Sequence, residues 1–155
     1  MKRLSLLATA LVLLVAGPAS AAGFRFPSVS KDLGSKPRIG KTHGAAPRAL
    51  KVKDVVVGTG AVAHRGDQVT IQYVGELYRT GKQFDASWDR GQPFAFTLGA
   101  GQVIKGFDRG ITGMRVGGRR TLVIPAKLAY GAAGAPPAIP RHATLVFVVD
   151  LVASA

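Results

Sequence analysis

Between Lys82 and Phe96 the chain reads KQFDASWDRGQPFAF. Within these fifteen positions stand four aromatic rings, two aspartates and an arginine, with a single hydroxyl on Ser87 and neither cysteine nor histidine. Such a stretch offers no thiolate and no metal ligand set. It offers aromatic surface next to a carboxylate. Asp85 directly follows Phe84, and a carboxylate is costly to bury unless it is paired. Arg90 and the Tyr73 hydroxyl are candidate partners. A polar group held inside an aromatic concavity describes a pocket for an apolar ligand with few polar handles. The wider aromatic set is Tyr73, Phe84, Phe94, Phe96, Phe107, Tyr130 and Phe147. Each of these, taken singly, also suits the core of a small domain.

Other chemistries find little support. The three histidines, His43, His64 and His142, are scattered, and none has a second histidine or a carboxylate at metal-ligand spacing. Ser87 lacks a G-x-S-x-G setting. Gly99-Ala100-Gly101 has no Walker lysine-hydroxyl pair and reads as a turn. The chain has no cysteine, so disulfides and thiolate catalysis are absent. No metal and no cofactor is expected. The segment Tyr130–Pro140, YGAAGAPPAIP, carries three prolines and two glycines and reads as a partly rigid loop with Tyr130 and Ile139 near its ends.

The elements that must position these residues are mostly strands. LKVKDVVVG, from Leu50, reads as a strand running into the turn Gly58-Thr59-Gly60. Gln68–Tyr78 alternates, with Val69, Ile71 and Tyr73 on one face. Arg79-Thr80-Gly81-Lys82 is a turn. PFAFTLG sets Phe94, Phe96 and Leu98 on one side of a strand. Gly118–Pro125 is another strand. Ala143–Val152 is long and apolar on both faces, which predicts a central position. Only Gln102–Gly110 has a helical pattern, with Val103, Ile104 and Phe107 on one face, and its glycines limit its length. The expected fold is α+β, an antiparallel β-sheet wrapped around one short α-helix, in a single domain over residues 50–155.

Two further segments precede that domain. Residues 1–22 begin with Lys2 and Arg3, continue as an apolar run from Leu6 to Ala16 broken only by Thr9, and end in Gly17-Pro18 and the small residues Ala19 to Ala22. This is the pattern of a secretory signal peptide, with cleavage expected after Ala21 or Ala22; the run is short for a membrane span of about 20 residues. The protein is therefore expected to be exported, to a periplasm rather than fully secreted. Removing Lys2 and Arg3 leaves 19 basic against 8 acidic side chains, a charge of +11. From Gly23 to Lys53, eight cations face one acid, Asp32, so +7 of that charge lies here. Residues 23–49 are rich in Gly, Pro, Ser and Lys without a sustained period, and read as a basic flexible arm. Such an arm suits weak contact with an anionic surface, with Phe24 and Phe26 as additional apolar points. A nucleic-acid partner is not expected, because the charge sits in the arm and the leader exports the chain.

Y-x-G at Tyr73, G-K-x-F-D-x-S from Gly81, P-F-x-F-x-L-G from Pro93, V-I-x-G from Val103, A-Y-G at Tyr130 and P-x-x-A-T-L-V-F from Pro140 occur in this order. Together they resemble the FKBP-type peptidyl-prolyl cis–trans isomerases. The resemblance runs almost without gaps from Val69 to Leu151, about half the chain, and Leu50–Gln68 fits the leading strand and turn. It implies a pocket between sheet and helix. Tyr73, Phe84, Phe94 and Phe147 would form its walls and Phe107 its floor, with Val103 and Ile104 at its border. Asp85 would be the buried acid, held by Arg90. The Ile104 N–H and the Tyr130 hydroxyl would meet substrate carbonyls, and Ile139 would line the far loop. Substrates would be proline-containing polypeptides, and macrolides of the rapamycin or tacrolimus type would be ligands. A non-catalytic chaperone or adaptor on the same fold is the alternative. Three positions depart from the family: Phe107 stands where tryptophan is usual, Leu128 where an aromatic residue is frequent, and Ala138 where a larger aliphatic residue is common. The reaction implied breaks no covalent bond, so the lack of a nucleophile between Lys82 and Phe96 is no obstacle to it.

Overall fold

The computed structural model describes residues 23–155. The leader expected at 1–22, with its cleavage site, lies outside the described residues. Six strands form one antiparallel sheet: β1 (Lys51–Val56), β2 (Gln68–Leu77), β3 (Gln83–Ala86), β4 (Phe94–Thr97), β5 (Arg119–Ile124) and β6 (Leu145–Ser154). Their order is β1-β5-β6-β2-β3, and β4 shares the β2 edge with β3. Among the described residues two α-helices are present, the single turn α1 (Ser87–Arg90) and the seven-residue α2 (Lys105–Ile111).

β6 is central, as its apolar run predicts, and its alternation sorts two layers. Leu145, Phe147, Val149 and Leu151 join the main core, with Ile71, Tyr73, Leu122 and Ile124 from the neighbouring strands and Phe107 and Ile111 from α2. Val146 points the other way and meets Val123 and Tyr78. Each of these side chains is almost completely removed from water, so the sheet is covered on both faces.

α2 lies very close to β5. A Cβ on Gly106 would stand 2.4 Å from the Ile124 side chain, and one on Gly110 would stand 2.7 Å from Leu122. The glycines that weaken this helix by propensity are thus the ones that let it pack directly onto the sheet. The helix begins at Lys105, three residues later than its apolar pattern predicts. Before it the backbone is extended at Ile104, and the buried Asp108 carboxylate accepts the N–H groups of Gly99 (2.8 Å) and Gly101 (3.1 Å). That carboxylate ties the turn after β4 to the helix.

Residues 23–49 differ from the flexible arm that their composition suggests. They form a strap across the outer face of the sheet. Antiparallel bridges join Arg25 to His43 and Val29 to Ile39, so the strap doubles back on itself. Phe24, Phe26 and Ile39 pack on Tyr78, Val123 and Val146. The Tyr78 hydroxyl donates to the His43 carbonyl at 3.0 Å, and the Thr42 hydroxyl donates to the Tyr78 carbonyl at 2.5 Å. The physical reason for order is the outer face itself. Arg119 projects from β5 and is wholly buried; it grips Asp150 through two bonds of 2.6 Å. Its other donors reach the Ser30 carbonyl at 2.7 Å and the Ser35 carbonyl at 3.0 Å. Without the strap, these donors and three apolar side chains would face water.

Candidate functional site

The inner face of the sheet opens into a cavity of about 210 Å³. It is lined by Tyr73 of β2, Phe84 and Asp85 of β3, Phe94 of β4, Gln102, Val103 and Ile104 ahead of α2, Phe107 of α2, Tyr130 of the following loop and Phe147 of β6. Phe107 packs against Phe147 at 4.5 Å between ring centres, and Phe84 against Phe147 at 5.4 Å, both edge to face. Tyr73 meets Phe94, Phe107 and Phe147 at 6.0–6.3 Å. These are favourable aromatic arrangements. They give the cavity a set of fixed, water-excluding walls.

Phe84 and Asp85 are neighbours on a strand, so strict alternation would send them to opposite faces. The pairing of β2 with β3 slips between Gly75↔Asp85 and Glu76↔Gln83, which leaves Phe84 as an extra residue on β3. This bulge brings both side chains to the cavity. Opposite it, Gly75 has no room for a side chain: a Cβ there would lie 2.6 Å from the Phe147 ring and 2.7 Å from that of Phe84.

Asp85, Tyr73 and Arg90 form a closed triangle. The Tyr73 hydroxyl donates to one Asp85 oxygen at 2.5 Å. Arg90 donates to the other Asp85 oxygen, and to the Tyr73 hydroxyl at 2.9 Å. Burial raises the Tyr73 phenol above its ordinary value of 10.0, and its bond to Asp85 adds to the rise. The guanidinium of Arg90 is held protonated still more firmly than usual, chiefly by its contact with Tyr73 and then by Asp85. The triangle therefore keeps a neutral phenol beside a charged guanidinium at neutral pH. Both carboxylate oxygens are engaged, which suits Asp85 to holding a wall in place and setting a local field, not to abstracting protons.

The rest of the polar lining lies at the rim. Ile104 precedes α2, and its N–H takes no partner among the described residues. Tyr130 is 41% exposed. Sequence reasoning missed Gln102, whose side-chain oxygen accepts the Thr97 N–H at 2.9 Å while the residue lines the cavity. It also gave no structural part to Ser87, which is fully buried. The Ser87 hydroxyl accepts the Tyr73 N–H at 2.7 Å and donates to the Gln72 side chain at 2.5 Å, pinning α1 to β2. Ile139 is not brought to the cavity wall. It is 5% exposed within the main core, because Ala135 and Ile139 pair across the tip of the proline-rich loop and turn it inward. Arg90 stands behind the wall and acts on it through Tyr73 and Asp85.

Sequence and fold agree with known proteins. Residues 60–152 match the family described as FKBP-type peptidyl-prolyl cis-trans isomerase. The chain belongs to that family. It is 53% identical over 119 residues to a protein of Streptomyces anulatus named "FK506-binding protein", covering 76% of this chain and 96% of that one. It is 52% identical over 105 residues to "FK506-binding protein 4" of Rhizopus delemar, covering 68% of this chain but 27% of that longer one. The crystal structure of AtFKBP13 superposes with a TM-score of 0.65 at 41% identity, over 71% of this chain and 96% of that one.

Proposed function

We propose that the protein is a peptidyl-prolyl cis–trans isomerase that acts on proline-containing polypeptides. The observation that carries this reading is the cavity of six aromatic rings closed at one side by the Tyr73–Asp85–Arg90 triangle. Amide resonance sets a barrier of about 18–20 kcal/mol to peptide rotation. The twisted amide has lost that resonance, and its C–N dipole is smaller than that of the planar form. A pocket walled by Phe84, Phe94, Phe107 and Phe147 accepts the twisted form more readily than the planar one, which is differential binding of the transition state. Each tenfold in rate needs about 1.4 kcal/mol of such preference. The Ile104 N–H and the Tyr130 hydroxyl hold the flanking carbonyls while the bond turns. Macrolides of the tacrolimus and rapamycin type occupy the same walls, a reading supported by relatives named for FK506 binding. Residues 1–22 act as an export signal, and the substrates are polypeptides folding outside the cytoplasm; cell fractionation of the tagged protein tests this part.

The direct test is a protease-coupled isomerisation assay on a short Leu-Pro or Phe-Pro peptide, comparing the wild type with Asp85→Leu and Tyr130→Phe. Acceleration well above the spontaneous rate, largely lost in Asp85→Leu, is the expected result. A wild type that leaves the spontaneous rate unchanged but still binds a macrolide sinks the enzymatic reading and supports a binding module. Phe107, smaller than the tryptophan usual in the family, would then be the residue to enlarge.

A further inference from the structure

The acids of this protein are nearly all engaged. Asp54 pairs with Arg120, Asp85 with Arg90, Asp89 with Lys36 and Asp150 with Arg119. Asp67 and Asp108 accept backbone N–H groups. Asp32, the single acid of the strap, is taken by the Ser35 hydroxyl and the Gly34 N–H. Most of the excess positive charge, +7 of the +11, lies in residues 23–53, the strap and the start of β1. Arg25, Lys31, Arg38, Lys41 and Arg48 of the strap are all exposed. Lys51 and Lys53 of β1 pair in register with Val123 and Thr121, the outward-facing residues of β5, and Lys53 lies over the Phe26 ring at 5.8 Å. Asp54, one residue on, turns to the helix side, where its partner Arg120 also bonds the Gly110 carbonyl of α2.

We infer that this outer face is a docking surface for the phosphate-bearing surface of an anionic lipid bilayer. Three observations select that partner. The strap is bonded to the sheet, so its cations form a fixed array and not a drifting tail. Phe24 stacks on Tyr78 and Phe26 packs on Phe24 within the same cluster, so neither ring is free to stack on bases as single-stranded nucleic acid requires, and among the described residues of this face no helix or ribbon stands out to enter a groove. Binding is then electrostatic, without insertion of side chains into the hydrocarbon, and salt releases it. Because Val123 and Val146 mark the outer face while Leu122, Ile124 and Phe147 mark the inner one, a protein seated by its strap keeps the aromatic cavity turned away from the lipid and open.

The test is flotation of the protein, as recovered from the exported fraction of an expressing cell, with vesicles of phosphatidylglycerol and phosphatidylcholine against vesicles of phosphatidylcholine alone. The quantity read is the extra binding to the anionic vesicles. It should be large at low salt and vanish at high salt. Replacing Lys31, Arg38, Lys41 and Lys51 with glutamine should weaken it about fivefold for each charge removed. Replacing the same number of exposed cations elsewhere, Lys82, Lys105, Arg109 and Lys127, should leave most of it. Circular dichroism checks that both variants stay folded. No extra binding at low salt overturns the inference. So does an equal loss in both variants, which would make net charge and not this face the cause, and so does tighter binding to nucleic acid than to the anionic vesicles. None of these outcomes depends on isomerase activity.

Discussion

On the helix side of the sheet, the contacts that define function are between carbon atoms. Rings meet rings at 4.5–6.3 Å, and the polar atoms sit at one edge in the Tyr73–Asp85–Arg90 triangle. On the strap side the proportions are reversed. Three apolar residues of residues 23–49 cover the sheet, and the rest of the attachment is hydrogen bonds, two of them from Arg119 of the sealed ion pair Arg119–Asp150. The difference teaches where each face is vulnerable. A face built of rings loses shape when volume is added. A face built around a buried ion pair loses stability when one partner is removed. Arg119→Met therefore has the largest expected effect. It leaves the Asp150 carboxylate buried with no counter-charge and the Ser30 and Ser35 carbonyls with no donor, and breaking such a pair costs about 3–5 kcal/mol. Urea denaturation should register this loss, and the double variant Arg119→Met with Asp150→Leu should recover much of it. If the single variant is as stable as the wild type, the strap is not anchored by this pair.

The inner face is challenged next, by volume. Gly75→Ala adds one carbon where the Phe147 and Phe84 rings already stand within 2.7 Å of the position it must take. Overpacking of this kind costs about 1–3 kcal/mol. The stability loss should be smaller than for Arg119→Met, while kcat/KM for a prolyl peptide falls by more than tenfold, because the wall moves. The opposite pattern, a large stability loss with kinetics intact, would mean that the rings yield without opening the cavity and that their packing is not what sets the rate.

The two faces were also unequally legible in the sequence. The strands and the central place of β6 follow from alternation and from an apolar run too long for an edge. The aromatic residues that gather at the cavity are recognisable from their order along the chain. What was hidden are features without a local signature. The bulge at Phe84 arises from a slip in pairing, and no residue type announces it; alternation alone would separate Phe84 from Asp85. Gly106 and Gly110 read as weak points of a helix until Ile124 and Leu122 are placed opposite them. Ile139 reads as the end of a loop that lines the pocket, yet the pairing of its own loop turns it into the core. The strap was the least legible part. Its composition is that of a linker, and the contacts that order it reach across the chain, with Ser30 and Arg119 separated by 89 positions. Local composition reports the entropy that ordering costs but not the distant partner that offsets it.

The smallest expected effect concerns a side-chain bond that joins the strap to the turn beside the site. Lys36 of the strap meets Asp89 of α1 at 2.7 Å, and Gln83 of β3 donates to the other Asp89 oxygen at 2.7 Å. Asp89 adjoins Arg90, so the strap touches the turn that carries one corner of the triangle. The Lys36 bond first, and the Gln83 bond second, hold the Asp89 carboxyl below its ordinary value of 3.8. A carboxyl lowered in the folded state stabilises the fold above that ordinary value, and the contribution is lost as pH falls through the lower, folded one. The tether is thus intact at neutral pH and fails only in acid. Both side chains are substantially exposed, at 39% and 50%, and exposed pairs contribute little and are screened by salt. Lys36→Met should accordingly lower kcat/KM by no more than about twofold at low salt, with the difference from wild type disappearing at high salt and below the folded value of Asp89. A loss of tenfold or more that persists in high salt would break the comparison, for the strap would then be part of the machinery that holds Arg90 against Tyr73 and Asp85.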